Sequence, residues 1–356
     1  MPTATELLDL EGIGQRASEV RFDVLNQTLG LIGTIDVDSS NPARIGNNTS
    51  ATIKRTVSGV ELPASVQADI DPFGDRLRPM WILENGDEYP LGVFILGGID
   101  RKRWEWGLDA DVTGVDQLLI LDQPLERSVG YPVGYPIYDA LVELFDAANV
   151  PAFSIDPGIG TLLANPIVWA AGDDTTLKVI NDLAALAGAY AAYFDNSGTG
   201  RVTLVPDLAA SIPTLIYDSG GRILDGSMVE TDNALEAPNR FIVIESGNPD
   251  TPIVGVYDIP DDAPNSALNR GFVVSSVIAE QGLGTELEAR TRARAAAAQA
   301  SGTYEWVQFS SPPDPRHDTF DPVLYLGSLY RELAWSLPLR EGSEMSHDLR
   351  RVYGGE

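Results

Sequence analysis

Residues 71–121 read DPFGDRLRPMWILENGDEYPLGVFILGGIDRKRWEWGLDADVTGVDQLLIL and decide the fold class. Four apolar runs lie in this stretch, and Asn85-Gly86 separates the first two. Asn-Gly is the strongest short signal for a hairpin, because both residues tolerate the positive φ angles of a tight turn. Farther on, Trp104 and Trp106 fall on one face, which is the period of two of a half-buried strand. The stretch therefore predicts an antiparallel meander whose sheet closes on itself or packs on another sheet.

The residues before this stretch extend the β pattern toward the N-terminus. Val20, Phe22 and Val24 alternate with other residues, as in a strand with one buried face. Residues 38–50 (DSSNPARIGNNTS) are rich in turn formers and predict a long loop. The first block, residues 1–125, is therefore predicted to be all-β and large enough for one barrel or sandwich.

The pattern then changes from a period of two to a helical period. Apolar residues follow at helical spacing after Pro136, and a second helix is predicted to begin at Asp173 and Asp174. Acidic side chains at a helix start cap free N–H groups and favour the helix dipole. A Gly-rich turn at 195–200 predicts a hairpin after that helix. Residues 126–205 are thus predicted to form a small α/β unit.

A second β-rich block begins near residue 213 and contains one predicted helix at 285–301. Thr285 and Glu288 have the spacing of a capping box, and Gly302 is placed to end the helix. The apolar stripe of this helix consists mainly of alanines, which suits close packing against another element. The sequence therefore predicts an α+β fold that is mainly β, with an α/β block between two β blocks.

The composition limits the classes of function. Cysteine is absent and histidine occurs only at His317 and His347, so thiolate metal sites and most zinc sites are excluded. The formal net charge of −28 disfavours specific nucleic-acid binding, because a phosphate-binding face needs clusters of Lys and Arg. No apolar run approaches the ~20 residues of a membrane helix, so no membrane span is predicted. The N-terminus has no signal-peptide pattern, and synthesis in a cytoplasm is expected.

One N-terminal motif matches the glycine spacing of a dinucleotide-binding turn. Residues 12–17 read GIGQRA, and Asp36 follows at the end of an apolar run. Such a site requires a strand before the glycines and a helix after them. The alternation at Val20, Phe22 and Val24 predicts a strand where that helix would lie. We therefore interpret the motif as a turn and predict no bound cofactor.

Two Asp-rich segments begin like calcium-binding loops. The first, residues 69–74 (DIDPFG), has Phe73 at a ligand position and Met80 where the closing glutamate belongs. The second, residues 109–114, has Ile120 at its closing position. Both are interpreted as solvated carboxylates on turns or strands, with a surface calcium ion as the alternative.

The two His-Asp pairs suggest a metal phosphohydrolase. His317 precedes Asp318 and His347 precedes Asp348, but such a site needs further histidines that the sequence lacks. Both histidines are therefore expected at the surface or at an interface.

Sugar cleavage is a further alternative, because the 52 acidic residues offer many carboxylate pairs. The separation of two carboxylates in space decides such a mechanism, and spacing along the chain does not. Trp81, Trp104 and Trp106 could stack on sugars, although tryptophans at a period of two favour core or interface packing. No nucleophile elbow, Walker loop or zincin helix occurs. We predict no catalytic, cofactor-binding or metal-binding residues, and we do not expect an enzyme.

The order of features around Trp81 resembles a known family. Trp81 is followed by the hairpin, by PLGVF at residues 90–94, and by a strand that runs into Val115 and Asp116. This arrangement is similar to the central tail-hub proteins, or minor tail proteins, of long-tailed bacteriophages. Their fold in turn is similar to the baseplate hub of contractile tails. The match is one of pattern and order over most of the chain.

The resemblance implies two β-barrel-like domains around a smaller α/β domain. The first barrel-like domain would span residues 1–125. The α/β domain would combine residues 126–205 with about 285–302, and the second barrel-like domain would combine 206–284 with 303–356. Three copies would form a pseudo-sixfold ring.

The resemblance also implies a function and partners. The ring would join a hexameric tail tube and distal tail protein above to threefold tip, fibre or spike proteins below. DNA would pass through its lumen during ejection, at the tail tip of a virion assembled in a host cytoplasm. The alternatives are a cell-wall polysaccharide hydrolase and a glycan-binding tail-tip protein.

Overall fold

The N-terminal block folds into the antiparallel meander that its sequence predicts. The computed structural model describes residues 17–36, 43–62, 70–83, 85–104, 107–206, 212–218, 223–224, 226–232, 237–245, 253–261, 263–280, 282–300, 305–340 and 343–351. The strands of this block are β1 (Ala17–Leu25), β2 (Leu31–Asp36), β3 (Arg44–Asn48), β4 (Arg55–Leu62), β5 (Arg76–Leu83), β6 (Glu88–Pro90), β7 (Phe94–Trp104) and β8 (Gly107–Asp116).

The predicted hairpin lies between β5 and β6. Gly86 has a φ of 89°, and the amide of Leu83 donates a hydrogen bond to the carbonyl of Asp87 over 2.9 Å. The Asn85 side chain accepts a hydrogen bond from the Asp87 amide over 3.0 Å. The turn residues thus fix the register that buries Trp81, which is only 3% exposed.

The middle of the chain, which we call the α/β unit, contains helices and short strands, as predicted. Its elements are α1 (Leu118–Leu121), β9 (Val129–Tyr131), α2 (Ile137–Ala147), β10 (Phe153–Ile155), β11 (Ile167–Trp169), α3 (Thr176–Leu186), β12 (Tyr193–Phe194) and β13 (Gly200–Val202). The helix that was predicted to begin at Asp173 and Asp174 is α3, and it begins slightly later, at Thr176. Thr175 is the N-cap and accepts a hydrogen bond from the Lys178 amide, whereas Asp174 accepts one from the amide of Ala170.

The C-terminal half is mainly β, as predicted. Its elements are β14 (Leu215–Tyr217), β15 (Val229–Asp232), β16 (Arg240–Glu245), β17 (Val254–Asp258), α4 (Ala267–Arg270), β18 (Ser275–Glu280), α5 (Glu286–Ala300), β19 (Glu305–Ser311), β20 (Pro322–Tyr325), β21 (Ser328–Pro338) and β22 (Met345–Arg351). Helix α5 opens with the predicted capping box, in which Thr285 accepts from the Glu288 amide and Glu288 accepts from the Thr285 amide. Its alanines pack on β16 and β17 around Phe241 and Val243.

One 14-stranded sheet runs through both β-rich blocks. Its order is β15-β19-β22-β21-β3-β4-β8-β7-β5-β1-β2, with β14, β20 and β6 paired beside this path. Strand β21 makes the link, because it pairs with β22 along one edge and with β20 and then β3 along the other. Trp335 and Leu337 of β21 pack in the core of the first block, so the C-terminal strands complete that core.

The structure corrects one prediction within this sheet. Residues 38–50 were expected to form a loop, yet Arg44–Asn48 is strand β3, between β21 and β4. Gly46, Asn47 and Asn48 have low strand propensity, and pairing on both sides outweighs it. Ile45, fully buried, and Asn47, 3% exposed, face the core.

The predicted α+β fold that is mainly β is confirmed. Among the described strands, the two ends of the sheet order do not pair with each other, so these strands form an open sheet. The division into two barrel-like domains around an α/β domain, with the boundaries given above, stays a prediction.

Candidate functional site

The two histidines of the chain meet at one buried glutamate. Glu332 lies on β21, His347 on the neighbouring strand β22, and His317 on the segment 312–321 that leads into β20. His317 Nδ1 lies 2.5 Å from Glu332 Oε2, and His347 Nδ1 lies 2.7 Å from Glu332 Oε1. The two carboxylate oxygens thus each hold one imidazole.

A hydroxyl group terminates each arm of this arrangement. The Tyr217 hydroxyl lies 2.6 Å from His317 Nε2, and the Ser311 hydroxyl lies 2.8 Å from His347 Nε2. All four ring nitrogens therefore have hydrogen-bonding partners, as buried polar groups require. We call the chain Tyr217–His317–Glu332–His347–Ser311 the histidine network.

The position of the histidines corrects the sequence-based expectation. They were expected at the surface or at an interface, but His317 is 1% and His347 3% exposed. Glu332 offsets the desolvation cost of burying the two imidazoles, because it accepts a hydrogen bond from each ring. His347 lies on the same face of β22 as the buried residues Met345 and Leu349, and this period of two is the signal that could have located it.

Burial controls the ionisation of the network. Burial lowers the pKa of His317 to about 4, and it lowers the pKa of His347 against the opposing hydrogen bond to Glu332. Burial also raises the pKa of Glu332, and the hydrogen bond with His347 opposes this increase. Neutral imidazoles at neutral pH follow from these directions.

Part of the network has the order of a catalytic triad. Ser311, His347 and Glu332 place a hydroxyl, an imidazole and a carboxylate in sequence, at 2.8 and 2.7 Å. Ser311 is only 1% exposed, however, and the carbonyl of Pro312, 2.8 Å from its hydroxyl oxygen, competes with His347 for the single hydroxyl hydrogen. A substrate carbonyl cannot approach a hydroxyl enclosed in this way, so the arrangement favours a structural network.

Three side chains of the histidine network, His317, Glu332 and His347, carry donor atoms that could bind a metal ion. One ligand atom from each of His317, Glu332 and His347 lies within 4.8 Å of the others. A zinc ion needs nitrogens aimed at the ion over about 2.0–2.1 Å. Here both Nδ1 atoms face carboxylate oxygens at hydrogen-bond distance, and both Nε2 atoms face hydroxyl groups. The donor set therefore fits hydrogen bonds better than a metal ion.

A buried arginine joins this region to the α/β unit. Arg55 on β4 is 1% exposed and forms an ion pair with Asp318. Its Nη1 donates to Asn196 Oδ1 over 2.5 Å, and its Nε donates to the Thr319 hydroxyl over 3.2 Å. The guanidinium lies 5.6 Å from the Trp335 ring centre. One side chain thus ties the sheet, the segment 312–321 and the turn of the α/β unit.

The structure describes only part of the dinucleotide motif, and it describes two of the three tryptophans that could stack on sugars. Residues 12–16 of the dinucleotide motif lie outside the described residues, while Val20, Phe22 and Val24 lie in β1 as predicted. Trp81 packs in the core of the first block. The backbone of Trp104 ends β7, and Trp106 lies outside the described residues.

The calcium-loop candidates lie on a turn and a strand, as interpreted. Asp71 accepts a hydrogen bond from the Phe73 amide, and Asp75 accepts one from the Asp71 amide. Asp69 lies outside the described residues. The segment 109–114 lies within strand β8 and pairs with β7 along its length.

A groove of about 670 Å³ lies between the α/β unit and the sheet that carries α5. Its charged residues are Asp174, Lys178, Asp182, Glu280 and Arg292. Lys178 pairs with Asp174 over 3.3 Å and with Asp182 over 2.7 Å. The sequence did not single out this groove, because its walls come from segments about 100 residues apart.

Solved tail-protein structures share this architecture. A tail protein from Neisseria meningitidis matches with a TM-score of 0.64 at 11% identity, covering 94% of this chain and 96% of that chain. The 43 kDa tail protein of prophage MuSo2 from Shewanella oneidensis matches with a TM-score of 0.64 at 12% identity, covering 94% and 98%. This chain has the fold of phage tail proteins. No protein-family model and no curated protein matches its sequence.

The tail-protein fold also extends to a secretion machine. A component of the type VI secretion system from E. coli, which shows structural similarity to the T4 bacteriophage tail proteins gp27 and gp5, matches with a TM-score of 0.51 at 8% identity. The match covers 96% of this chain and 78% of that one. In the part of the chain that the structure describes, no helix has the length and apolar character needed to cross a membrane.

Proposed function

We propose that the chain is a structural tail-hub protein of a phage virion. The observation that carries this proposal is the similarity of fold to two phage tail proteins. Each match covers 94% of this chain and at least 96% of the matched protein. The likeness to a type VI secretion component similar to gp27 and gp5 supports a position at the tail tip. The role of such a protein lies in assembly, and we infer that the chain has no catalytic activity of its own.

We further propose that three copies form a ring. Two equivalent β-barrel-like domains in each copy would give the trimer pseudo-sixfold symmetry, which would let it join a hexameric tail tube and distal tail protein above to threefold fibre or spike proteins below. DNA passes through the lumen during ejection. The net charge of −28 supports an acidic bore, which repels phosphate groups and prevents the DNA from adhering.

The edge strand β2 is proposed as part of the contact between copies. In the described part of the chain, β2 pairs only with β1, and Leu31 and Ile32 on β2 are 58% and 55% exposed. Natural proteins protect free strand edges with lysine, proline or bulges, and β2 (LIGTID) carries neither lysine nor proline. The two exposed apolar residues on this edge favour coverage by another chain.

Light scattering after gel filtration tests the ring. The expected mass is about 115 kDa, for three chains of 38.3 kDa each. The variant Ile32→Arg is expected to shift the mass toward the monomer, because it introduces a charge at the apolar edge. Leu162→Arg, at a residue 54% exposed in the α/β unit, serves as the control and should leave the mass unchanged. A wild-type monomer that degrades isolated cell-wall material would instead favour the polysaccharide hydrolase.

A further inference from the structure

One arginine is buried against the sheet without a charged partner. Arg331 on β21 is 4% exposed, and its Nε and Nη2 atoms have no hydrogen-bonding partner among the described residues. Burial lowers its pKa, and no carboxylate of the described ranges opposes this decrease. Arg55, which is 1% exposed, instead forms an ion pair with Asp318 and donates to Asn196. Because a buried charge is costly unless it is paired, the donors of Arg331 point to a partner of negative charge.

A second arginine faces Arg331 across the ladder of β21 and β22. Arg350 is the register partner of Arg331, so the two side chains leave the same face of the sheet. The Nε atom of Arg350 is also buried, and within the part of the chain that the structure describes it has no hydrogen-bonding partner. Like charges directly opposite each other destabilise a sheet. An anion bound between the two guanidinium groups would offset this repulsion.

The hydroxyl group of Tyr190 is a further donor beside Arg331. Tyr190 is 5% exposed, and its hydroxyl has no hydrogen-bonding partner in the described structure. The Arg331 guanidinium lies 5.0 Å from the ring centre, and the ring face attracts the cation but leaves its N–H donors unpaired. Stacking on Phe320 at 4.3 Å holds the ring in place. Burial raises the pKa of Tyr190, so the hydroxyl keeps its proton at neutral pH and can donate it.

The face is partly open to solvent beside Arg350. Arg350 and Trp306 are both half-buried, and the guanidinium lies 5.7 Å from the Trp306 ring centre. Asp348 lies on the same face, and its carboxylate accepts a hydrogen bond from Gln308 over 3.4 Å. Burial raises the pKa of Asp348, and the charge of Arg350 only partly opposes this increase. A ligand can therefore enter beside Arg350 and Trp306 and reach donors that Asp348 does not neutralise.

We propose that Arg331, Arg350 and Tyr190 form a binding site for an oxyanion, either a carboxylate or a phosphate group. Guanidinium groups bind both through paired N–H donors, and the tyrosine hydroxyl supplies a further hydrogen bond. Two sources can supply the anion: an acidic side chain of another protein and free phosphate. Because Tyr190 belongs to the α/β unit and the arginines to the sheet, the bound anion contacts both. The proposal goes beyond the hub role and does not depend on ring formation.

Isothermal titration calorimetry of the full chain tests the site with two probes. The first is sodium phosphate, titrated at constant ionic strength, and the second is a peptide of four Glu-Ser repeats. We expect saturable binding of at least one probe, and a peptide of four Gln-Ser repeats should not bind. Binding of phosphate shows that a free anion is sufficient, whereas binding of the acidic peptide alone assigns the site to a carboxylate of another protein. The proposal is overturned if neither probe binds saturably.

The variant Arg331→Met separates a binding site from a structural arginine. It should weaken binding of the probe roughly tenfold or more, because charge-assisted hydrogen bonds are lost. Without the probe, its Tm should equal or exceed that of the wild type, because methionine buries no unpaired charge. A structural arginine would instead lower the Tm on replacement, as expected for Arg55→Met. A lowered Tm, or binding as tight as in the wild type, would overturn the proposal.

Two other arginine variants complete the test. Arg350→Met should weaken binding of the same probe, because it removes the second guanidinium group from the face. Arg127→Met, at an exposed arginine of the α/β unit, is the matched control and should bind the probe like the wild type. Equal weakening in Arg127→Met would show attraction by overall charge and would contradict the assigned site.

Discussion

At the scale of single residues, Arg55 has the largest expected effect on stability. Its guanidinium contacts Asn196, Asp318 and Thr319 while being 1% exposed. Arg55→Met removes the cation and leaves the carboxylate of Asp318 without its partner. We expect the free energy of unfolding to fall by about 3 kcal/mol, the lower end for a broken buried pair, because Asp318 is 28% exposed. Chemical denaturation of the full chain measures this change.

The control for Arg55 is an arginine in an exposed ion pair. Arg240 pairs with Asp258 at 2.6 Å, with side chains 38% and 50% exposed. Arg240→Met should leave the free energy of unfolding unchanged within error, because exposed pairs contribute little. Equal losses in the two variants would contradict the role assigned to Arg55.

The sequence predicted the buried polar residues less well than the helices and strands. It singled out His317 and His347 by their rarity, but not Glu332, which lies 15 residues from each. Arg55 gave no signal, because its partners lie 141 to 264 positions along the chain. Long-range polar contacts depend on how strands are ordered in the sheet, and local patterns do not contain that order.

At the scale of elements, the close approach of α5 to β17 depends on one glycine. A Cβ atom on Gly255 would lie 2.1 Å from the Ala289 backbone, a distance that real structures do not tolerate. Gly255→Ala should therefore push the helix away and lower the free energy of unfolding by about 1–3 kcal/mol, as overpacking does. Hydrogen exchange should become faster in α5.

Gly33→Ala on β2 is the matched control for this prediction. A Cβ atom there would meet nothing within 4 Å, so no repacking is required. Exchange in α5 should be the same as in the wild type. An unchanged exchange rate in Gly255→Ala would show that the helix does not pack as closely as described.

Elements with a strong local period were predicted well. The meander, the Asn-Gly hairpin, α2 and the capping box of α5 all follow from patterns within a few residues of each other. The alanine stripe of α5 also packs closely against strands, as its small side chains predict. Strand β3 was not predicted, because Gly46 and the following asparagines are typical turn residues. The segment is extended because it pairs with β21 and β4.

At the scale of the whole molecule, the sequence predicted the succession of β, α/β and β blocks but not their connection. The C-terminal strand β21 pairs with β3, some 290 residues earlier, and so joins the two β-rich blocks in one sheet. Pairing over such separations has no local signature. The histidine network lies on the C-terminal side of this connection, with Glu332 on β21 itself.

The proposed hub role belongs to this scale, because it resides in how copies fit around an axis. Electron microscopy of the purified chain, averaged in end-on views, tests it most directly. The account predicts a closed ring of three copies with pseudo-sixfold features and a central opening. A compact single particle without a rotational axis would contradict it.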